Sequence, residues 1–192
     1  MKHRKLLNSE LGRPSVEEYK KQAKYPVVVV LDNIRSMFNV GAAFRCVDAF
    51  GVKKMLLCGI CATPPSAEIH KSALGAELSV DWSYFPNTSD AIEELKREGY
   101  KIAVVEQAEG SISLENFKDV ISSQSLPTLP NEEFPKIALV FGNEVFGVEQ
   151  GVVNESDFVI EIPQVGTKHS INVSVSVGVV LWEIFRLFHL KK

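Results

Sequence analysis

The sequence has few cysteines, little excess charge and no apolar stretch at its start. Its 192 residues include three Cys, and the formal net charge is −3. Small disulfide-stapled scaffolds need more Cys, and proteins that coat nucleic acid non-specifically are strongly basic. Because no secretory signal pattern follows Met1, we expect a cytoplasmic protein whose cysteines are free thiols.

Several common chemistries also lack their sequence signatures. No GxGxxG follows an apolar run and no GxxxxGK[ST] occurs, which argues against nicotinamide-dependent and P-loop enzymes. Cys58 and Cys61 form a CxxC, but no second CxxC or HxxxH supplies the remaining zinc ligands. Cys61 also leads into Ala-Thr-Pro-Pro rather than into a helix, as a thioredoxin-like motif would. We therefore predict no metal site.

The chain does have enough apolar residues for one domain with a substantial core, since 45% of it is hydrophobic. Its charge is uneven. Residues 1–26 carry seven Lys/Arg against three Glu, a balance of +4, which leaves −7 for residues 27–192. We predict a basic N-terminal extension over 1–26, either an arm that touches phosphate or a solvated, partly helical tail. The apolar C-terminal run contains Glu183 and Arg186, so we predict a buried or interface helix, not a membrane span.

Apolar runs alternate with helical patterns along the chain, with short turn signals between them. This alternation predicts an α/β fold, a mostly parallel sheet flanked by helices on both faces. The predicted strands are Val27–Leu31, Lys54–Leu57, Val80–Tyr84, Ile102–Val105, Ile137–Phe141 and Phe158–Ile160. The predicted helices are Asn39–Phe50, Ser66–Leu74, Ser89–Glu98 with Ser89 as its N-cap, and Asn172–His189, and the clearest predicted loop is Ser122–Pro135.

Three polar clusters follow predicted strands, where open parallel sheets bind their ligands. In the first cluster, Asn39 resembles a helix N-cap and Gly41 permits close approach at a helix start, which can hold an anion. Arg45 lies six residues after Asn39. It either pairs with a group beside the apolar face or points into the cleft at the strand ends.

The second cluster is the turn from Phe141 to Gly147. Its carboxylate, Glu144, lies in an apolar, Gly-flanked segment, so it must be paired, bonded to backbone N–H groups, or functional. Capping of the following helix is the alternative. In the third cluster, Ser170, Asn172 and Ser174 alternate with apolar residues at the opening of the last helix. They either cap that helix or form part of a ligand site.

Together the clusters resemble the three motifs of the SpoU–TrmH family of SPOUT methyltransferases. Asn39-x-Gly-x-x-x-Arg45 is similar to the first motif, and Leu139-Val-Phe-Gly-Asn-Glu-Val-Phe-Gly-Val148 to the second. Ile162-Pro-x-x-Gly-x-x-x-Ser-Ile-Asn-Val-Ser174 is similar to the third. The resemblance covers about residues 27–189, nearly the whole chain. Ile171 stands where the family often has Leu.

The resemblance implies an α/β trefoil-knot fold, with a methyltransferase domain over 27–192 and its knot at about 137–190. It implies S-adenosylmethionine as the cofactor and a homodimer that packs through the C-terminal helix. It also implies methylation of a ribose 2′-hydroxyl in RNA, with tRNA favoured over rRNA by the compact size and the basic arm. Two alternatives remain: a non-catalytic RNA-binding protein that keeps the fold, and an enzyme for a different nucleotide substrate.

The resemblance also assigns roles to individual residues. The implied cofactor contacts are Gly142, Asn143, Gly147, Ile162, Ile171 and Glu106. The implied catalytic surround is Asn39, Arg45, Glu144, Ser170 and Asn172. Arg45 either accepts the proton of the attacking hydroxyl or positions a phosphate and stabilises the developing alkoxide. Because no separate RNA-binding domain is evident, we expect RNA to contact the dimer surface, Arg35, Lys5 and Arg13.

Overall fold

The structure, a computed structural model, describes residues 3–123 and 134–189. Seven strands form one sheet in the order β3-β2-β1-β6-β4-β7-β5, and every neighbouring pair is parallel. The predicted parallel sheet is confirmed. The strands are β1 (Tyr25–Asp32), β2 (Val52–Cys58), β3 (Trp82–Phe85), β4 (Lys101–Val105), β5 (Ile112–Ser113), β6 (Ile137–Phe141) and β7 (Phe158–Glu161).

Eight helices accompany the strands in the described part of the chain. They are α1 (Val16–Lys21), α2 (Met37–Ala49), α3 (Ala67–Ala73), α4 (Ala76–Ser79), α5 (Thr88–Arg97), α6 (Phe117–Ser123), α7 (Gln150–Glu155) and α8 (Val173–His189). Two 3-10 turns, Asn8–Glu10 and Leu114–Asn116, complete the described elements.

The sheet separates two hydrophobic cores. Alternate residues of a strand point to opposite faces, so Val27, Val29 and Leu31 join one core, whereas Val28 and Val30 join the other. Helices α2, α3 and α8 cover the first face, and α5 and α7 cover the second. This explains why β1 is an unbroken apolar run, as predicted for a strand that is buried on both sides.

Helix starts are where the sequence prediction was wrong. Helix α2 begins at Met37, and its N-cap is Ser36, whose hydroxyl accepts the N–H of Asn39. Asn39 is therefore inside the helix. Ser89 is likewise inside α5, which begins at Thr88 after Asn87. In both cases another polar residue stands one turn or less upstream, and the apolar pattern alone does not choose between them.

Other differences concern short elements. Helices α4, α6 and α7 and strand β5 were not predicted, because each is too short to show a clear period. Ser122 and Ser123 end α6 instead of opening the predicted loop, and residues 124–133 of that loop lie outside the described residues. Helix α8 agrees with the prediction to within one residue.

Candidate active site at the carboxyl edge of the sheet

A cavity of about 680 Å³ lies where the loops after β4, β6 and β7 meet. Strands β6, β4 and β7 are neighbours in the sheet, so their carboxyl ends bring these loops together. The start of α8 closes the cavity, with Asn172, Val173 and Ser176 in its wall. The volume falls within the range of about 300–1,000 Å³ that small-molecule sites occupy.

The loop after β6 is a tightly bonded turn. Asn143 and Gly147 exchange two backbone hydrogen bonds, with N–O distances of 3.0 and 2.9 Å. The Asn143 side-chain oxygen also accepts the N–H groups of Val145 and Phe146, at 2.9 and 3.1 Å. Its amide donates to the carbonyl of Asn33 at 2.7 Å, which ties the turn to the end of β1. The backbone of this turn is therefore fixed before any ligand binds.

Gly142 and Gly147 are required by the turn itself. A Cβ at Gly142 would collide with the backbone of Gly147 and Val148. Gly147 has φ of +69°, a left-handed conformation that favours glycine, and a Cβ there would meet the Glu106 carboxylate. That carboxylate accepts the N–H of Val148 at 3.1 Å and of Gln107 at 2.9 Å. Both glycines thus shape the loop instead of only leaving room for a ligand.

Glu144 connects this turn to the start of α2. Its two oxygens accept the backbone N–H groups of Arg35 and Ser36, each at 3.0 Å, and one of them also accepts the Asn39 amide at 2.9 Å. The start of α2 does hold an anion, as the sequence suggested, but that anion is a side chain of the protein. The alternative that Glu144 caps the following helix, α7, is wrong.

The third cluster belongs to the same hydrogen-bond network. The Asn172 amide donates to the Asn39 side-chain oxygen at 3.1 Å. The Asn172 side-chain oxygen accepts the N–H and the hydroxyl of Ser174, at 2.8 and 2.6 Å, so Asn172 also caps α8. One polar network, Glu144–Asn39–Asn172–Ser174, therefore links all three sequence clusters.

The network determines the charge of its carboxylate. Partial burial would raise the pKa of Glu144, but the donors from Arg35, Asn39 and Ser36 outweigh it and hold the pKa below its ordinary value of 4.5. Glu144 is therefore ionised at neutral pH. A carboxylate in this state accepts hydrogen bonds and does not donate a proton.

Most of the residues predicted to form the site do lie together. All six predicted cofactor contacts line the cavity, and so do Glu144, Ser170 and Asn172. Asn39 is 7% exposed and stands behind Glu144 and Asn172.

Arg45 is the exception. It lies on α2 about 9 Å along the helix axis from Asn39 and roughly 120° around it, by ideal helix geometry. Its side chain is exposed and lines a separate cavity of about 550 Å³ with Arg13, Tyr19 and Asp48. The two cavities share no lining residue. Within one chain, Arg45 does not meet the Glu144 network.

The residues predicted to bind RNA occupy three different places. Lys5 is exposed in the extension, and Arg13 lies beside Arg45. Arg35 is exposed next to the Glu144 carboxylate, which its backbone N–H contacts. The extension is held to the body by the Tyr19 hydroxyl, which donates to the Asp48 carbonyl at 2.7 Å.

Sequence reasoning missed Ser36 and Gln107. Ser36 caps α2 beside Glu144, and a Ser three residues before Asn39 is a recognisable capping signal. The Gln107 amide donates to the carbonyl of His169 at 2.6 Å and so ties the loop after β4 to the loop before α8. No local pattern indicates that contact, because 62 residues separate its partners.

The CxxC cysteines are buried and protonated. The Cys61 thiol donates to the Leu31 carbonyl at 3.3 Å and accepts the Ile34 N–H at 3.1 Å. Burial raises the pKa of Cys61 to about 11 and that of Cys58 to about 12. Cys46, Cys58 and Cys61 are all free.

In ranges 3–123 and 134–189, no group of three His, Cys, Asp or Glu side chains is placed to hold a metal ion. None of the helices in those ranges combines the length and the apolar character needed to cross a membrane.

Known proteins resemble the chain over most of its length. The SpoU rRNA Methylase family matches residues 26–182. The 23S rRNA (guanosine-2′-O-)-methyltransferase RlmB of Nitrosomonas europaea is 33% identical over 160 residues, covering 83% of this chain and 56% of the relative. The chain spans 64% or less of the length of the curated relatives that it matches.

Solved structures agree with the fold. A TrmH/SpoU tRNA modifying enzyme of A. aeolicus superposes with a TM-score of 0.75 at 24% identity, covering 92% of this chain and 82% of its own. An AdoMet-bound rRNA methyltransferase of Sinorhizobium meliloti superposes with a TM-score of 0.69 at 25% identity, covering 88% of this chain and 59% of its own. The predicted fold class, the SPOUT α/β knot, is confirmed. The predicted bounds of the extension and of the knot stay predictions.

Proposed function

Because the chain belongs to the SpoU rRNA methylase family, we propose that it methylates the 2′-hydroxyl of a ribose in RNA with S-adenosylmethionine. The observation that carries the proposal is the network in which Glu144, Asn39 and Asn172 join three separate segments beside one cavity. A network that only stabilised the fold would not need to border an open cavity of ligand size.

The residues around the cavity fit S-adenosylmethionine. Ile162, Ile171 and Val105 supply apolar walls, and the backbone of the β6 turn supplies fixed polar groups. An AdoMet-bound neighbour at 25% identity supports the same assignment. We propose that Gly142, Asn143, Gly147, Ile162, Ile171 and Glu106 hold the cofactor. When bound, the cofactor supplies an electrophilic methyl group on a positively charged sulfur.

The chain's own residues would align and polarise the hydroxyl. Glu144 is ionised and fixes Asn39, which in turn accepts a hydrogen bond from the Asn172 amide and so fixes Asn172 on the cavity wall. Ser170, also on the cavity wall, is in a position to hydrogen-bond the ribose. Such prior alignment lowers the barrier for in-line transfer, because the reactants need not be ordered during the reaction.

Arg45 would complete the site from a second copy of the chain. Its side chain either accepts the hydroxyl proton, which requires the neutral guanidine, or, as the guanidinium that is normal for arginine, positions a phosphate and stabilises the alkoxide. Since Arg45 lies in another cavity from Glu144 in the same chain, we propose that it acts on the partner's site in a homodimer.

Helix α8 offers a surface for that homodimer. Val175, Val179 and Trp182 recur at helical spacing and are 52%, 38% and 52% exposed. Residues at this spacing share one face of the helix. An apolar stripe next to charged Glu183 and Arg186 is typical of an interface.

tRNA is the substrate that we favour within RNA, because of the basic extension over residues 1–26. Relatives named for rRNA and for tRNA both occur, so an rRNA substrate is the second candidate. With either substrate we propose that the protein acts in the cytoplasm. A non-catalytic RNA-binding role is disfavoured, because binding alone does not require the network to border a cavity of cofactor size.

The test is transfer of labelled methyl from S-adenosylmethionine to unmodified total tRNA and to unmodified rRNA, with wild type and Arg45→Ala side by side. Digestion to nucleosides should place the label in a 2′-O-methyl nucleoside for wild type and remove most of it in the variant. If the wild-type protein bound S-adenosylmethionine but labelled neither RNA, the proposed reaction would be wrong.

A further inference from the structure

A further cavity, of about 460 Å³, is distinct from the one beside Arg45 and is called the second cavity. It lies on the opposite side of the β6 turn from the cofactor cavity. It opens at the carboxyl ends of β2, β1 and β6, which are neighbours in the sheet. Ile60 comes from the loop after β2, Arg35 from the loop after β1, and Phe146 from the turn after β6. Phe146 borders both cavities. A ligand in the second cavity would therefore lie next to a substrate in the first.

Phe146 is the most unusual residue of this surface. Its side chain is 85% exposed, although aromatic side chains dominate protein cores. Its backbone N–H is held by Asn143 at 3.1 Å, on a turn that is itself closed by the Asn143–Gly147 hydrogen bonds. The ring contributes little to the core, yet the turn fixes the backbone that carries it. Such a ring is prepared to stack on a flat ligand without a large cost in entropy.

The neighbouring side chains extend this platform. Ile60 is 63% exposed, and its backbone N–H donates to the Asn33 side-chain oxygen at 3.2 Å, which fixes its position. Arg35 is exposed, and its guanidinium makes no salt bridge among residues 3–123 and 134–189. An aromatic ring, an aliphatic side chain and a free guanidinium together form a surface suited to an unpaired nucleotide.

The charges of the cavity favour a base over a phosphate inside it. Asp32 lies in its wall, buried, with its carboxylate held by Asn33, Thr88 and the N–H of Glu149. The exposed Glu149 carboxylate lines the same cavity. Both carboxylates repel phosphate, and the exposed Glu149 side chain can also accept hydrogen bonds from the amino groups of a base. The cation, Arg35, remains available for the backbone phosphate of the same nucleotide.

We propose that Phe146, Ile60 and Arg35 bind an unpaired RNA nucleotide next to the one that is methylated, with its base stacked on Phe146. The inference rests on the proposed function. It adds that the methylated ribose lies in a loop or another unpaired segment, because a base inside a duplex cannot reach Phe146. Recognition of this flanking nucleotide would contribute to the choice of RNA.

The experiment compares wild type with Phe146→Ala, Phe146→Leu and Phe146→Tyr. Binding to unmodified total tRNA and to unmodified rRNA would be measured by filter retention, and binding of S-adenosylmethionine by calorimetry. Loss of one base–aromatic stack weakens RNA binding by about five- to 150-fold. We expect that loss for the Ala variant and most of it for the Leu variant, which keeps the apolar bulk but not the aromatic face.

Two further variants separate stacking from a general disturbance of the turn. Phe146→Tyr keeps the ring and should bind RNA as wild type does. Ile60→Ala touches only the second cavity, so it should weaken RNA binding and leave the affinity for S-adenosylmethionine unchanged. Unfolding temperatures should agree among all variants, because both side chains are exposed.

The outcomes are distinguishable from failure of the proposed function. If wild type methylates RNA but the Ala and Leu variants bind that RNA with unchanged Kd, the stacking site is wrong and the methyltransferase assignment stands. If all Phe146 variants, including Tyr, lose S-adenosylmethionine and RNA binding alike, Phe146 supports the turn and the inference is overturned. If wild type methylates no RNA, the proposed function is wrong, and the inference that rests on it is overturned with it.

Discussion

The two faces of helix α2 differ in how completely their polar side chains are engaged. On one face Asn39 is buried and bonded to both Glu144 and Asn172. On the other, Arg45 is exposed, and its side chain forms no salt bridge or hydrogen bond with any residue of the described ranges. The polar side chain of the first face is fixed within the chain, whereas the second face presents a guanidinium with no such partner among the described residues.

Under the proposed function, this difference separates the part of the site that one chain builds from the part that a second chain would supply. Fixed hydrogen-bond networks are present before the substrate arrives and stabilise both the fold and the reaction. An arginine side chain without a partner contributes little to the stability of the folded chain. We therefore expect Arg45 to act in an assembly with RNA or a second chain. Substitutions on the two faces should therefore separate activity from stability.

The largest effect is expected for Arg45→Lys. Lysine keeps the charge but not the planar fork, so methyl transfer should fall by roughly 10²–10³-fold, as for the loss of one transition-state donor. The unfolding temperature should not change, because the side chain is exposed and unpaired. Arg97→Lys, at the exposed end of α5, is the matched control and should keep full activity. Near-wild-type transfer by Arg45→Lys would contradict both roles given to Arg45.

Asn39→Ala should reduce both stability and activity. It removes two side-chain hydrogen bonds and leaves their partners, Glu144 and Asn172, without a shared contact, at a cost of about 1–3 kcal/mol in the free energy of unfolding. Denaturant titration measures this cost, and a methylation assay measures the loss of alignment. A stable but inactive Asn39→Ala protein would show that the network has no structural role.

The Glu144 carboxylate makes the network sensitive to acid. Its folded-state pKa is lowered, so its contribution is present above the unfolded-state pKa and is lost as pH falls through the folded value. Wild type should therefore unfold at a higher temperature than Glu144→Gln at pH 7. The gap should close as pH falls below about 4.5. A pH-independent gap in a thermal scan series would disprove this assignment.

The smallest effect is expected for Arg13→Ala in the extension. If Arg13 contacts one phosphate, the variant should bind RNA somewhat less tightly, and the slope of log K against log salt should fall by about one. Affinity for S-adenosylmethionine should be unchanged, and Arg97→Ala should leave the slope as it is. A slope equal to that of wild type would place RNA away from the extension.

Much of this arrangement was predictable from the sequence. The apolar run of β1 and the helical period of α8 predicted both elements, and three motifs in order predicted the family and the fold. The start of α2 was not predictable to within one turn, because Ser36 and Asn39 are both good caps. The Glu144–Asn39 contact joins positions 105 residues apart, and local patterns carry no information on such distances.

The separation of Arg45 from Glu144 could not be predicted from the sequence either. Spacing predicted that Arg45 either paired beside the apolar face or pointed into the cleft, and it does neither. Its direction depends on how α2 is rotated against α3, where Gly41 permits close contact with Ser72 and Ile69. The sequence predicts that Gly41 lies at a ligand site, but in the structure this glycine allows α2 to pack closely on α3 within the first core.

The most direct test mixes two inactive chains, Arg45→Ala and Glu144→Ala, after joint unfolding and refolding. If Arg45 acts on the partner's site, each mixed dimer contains one intact site, and random pairing should restore about a quarter of the wild-type methyl transfer. Each variant alone should remain inactive. If Arg45 acts within its own chain, no mixed dimer holds an intact site, and the absence of any recovery would contradict an active site assembled from two copies.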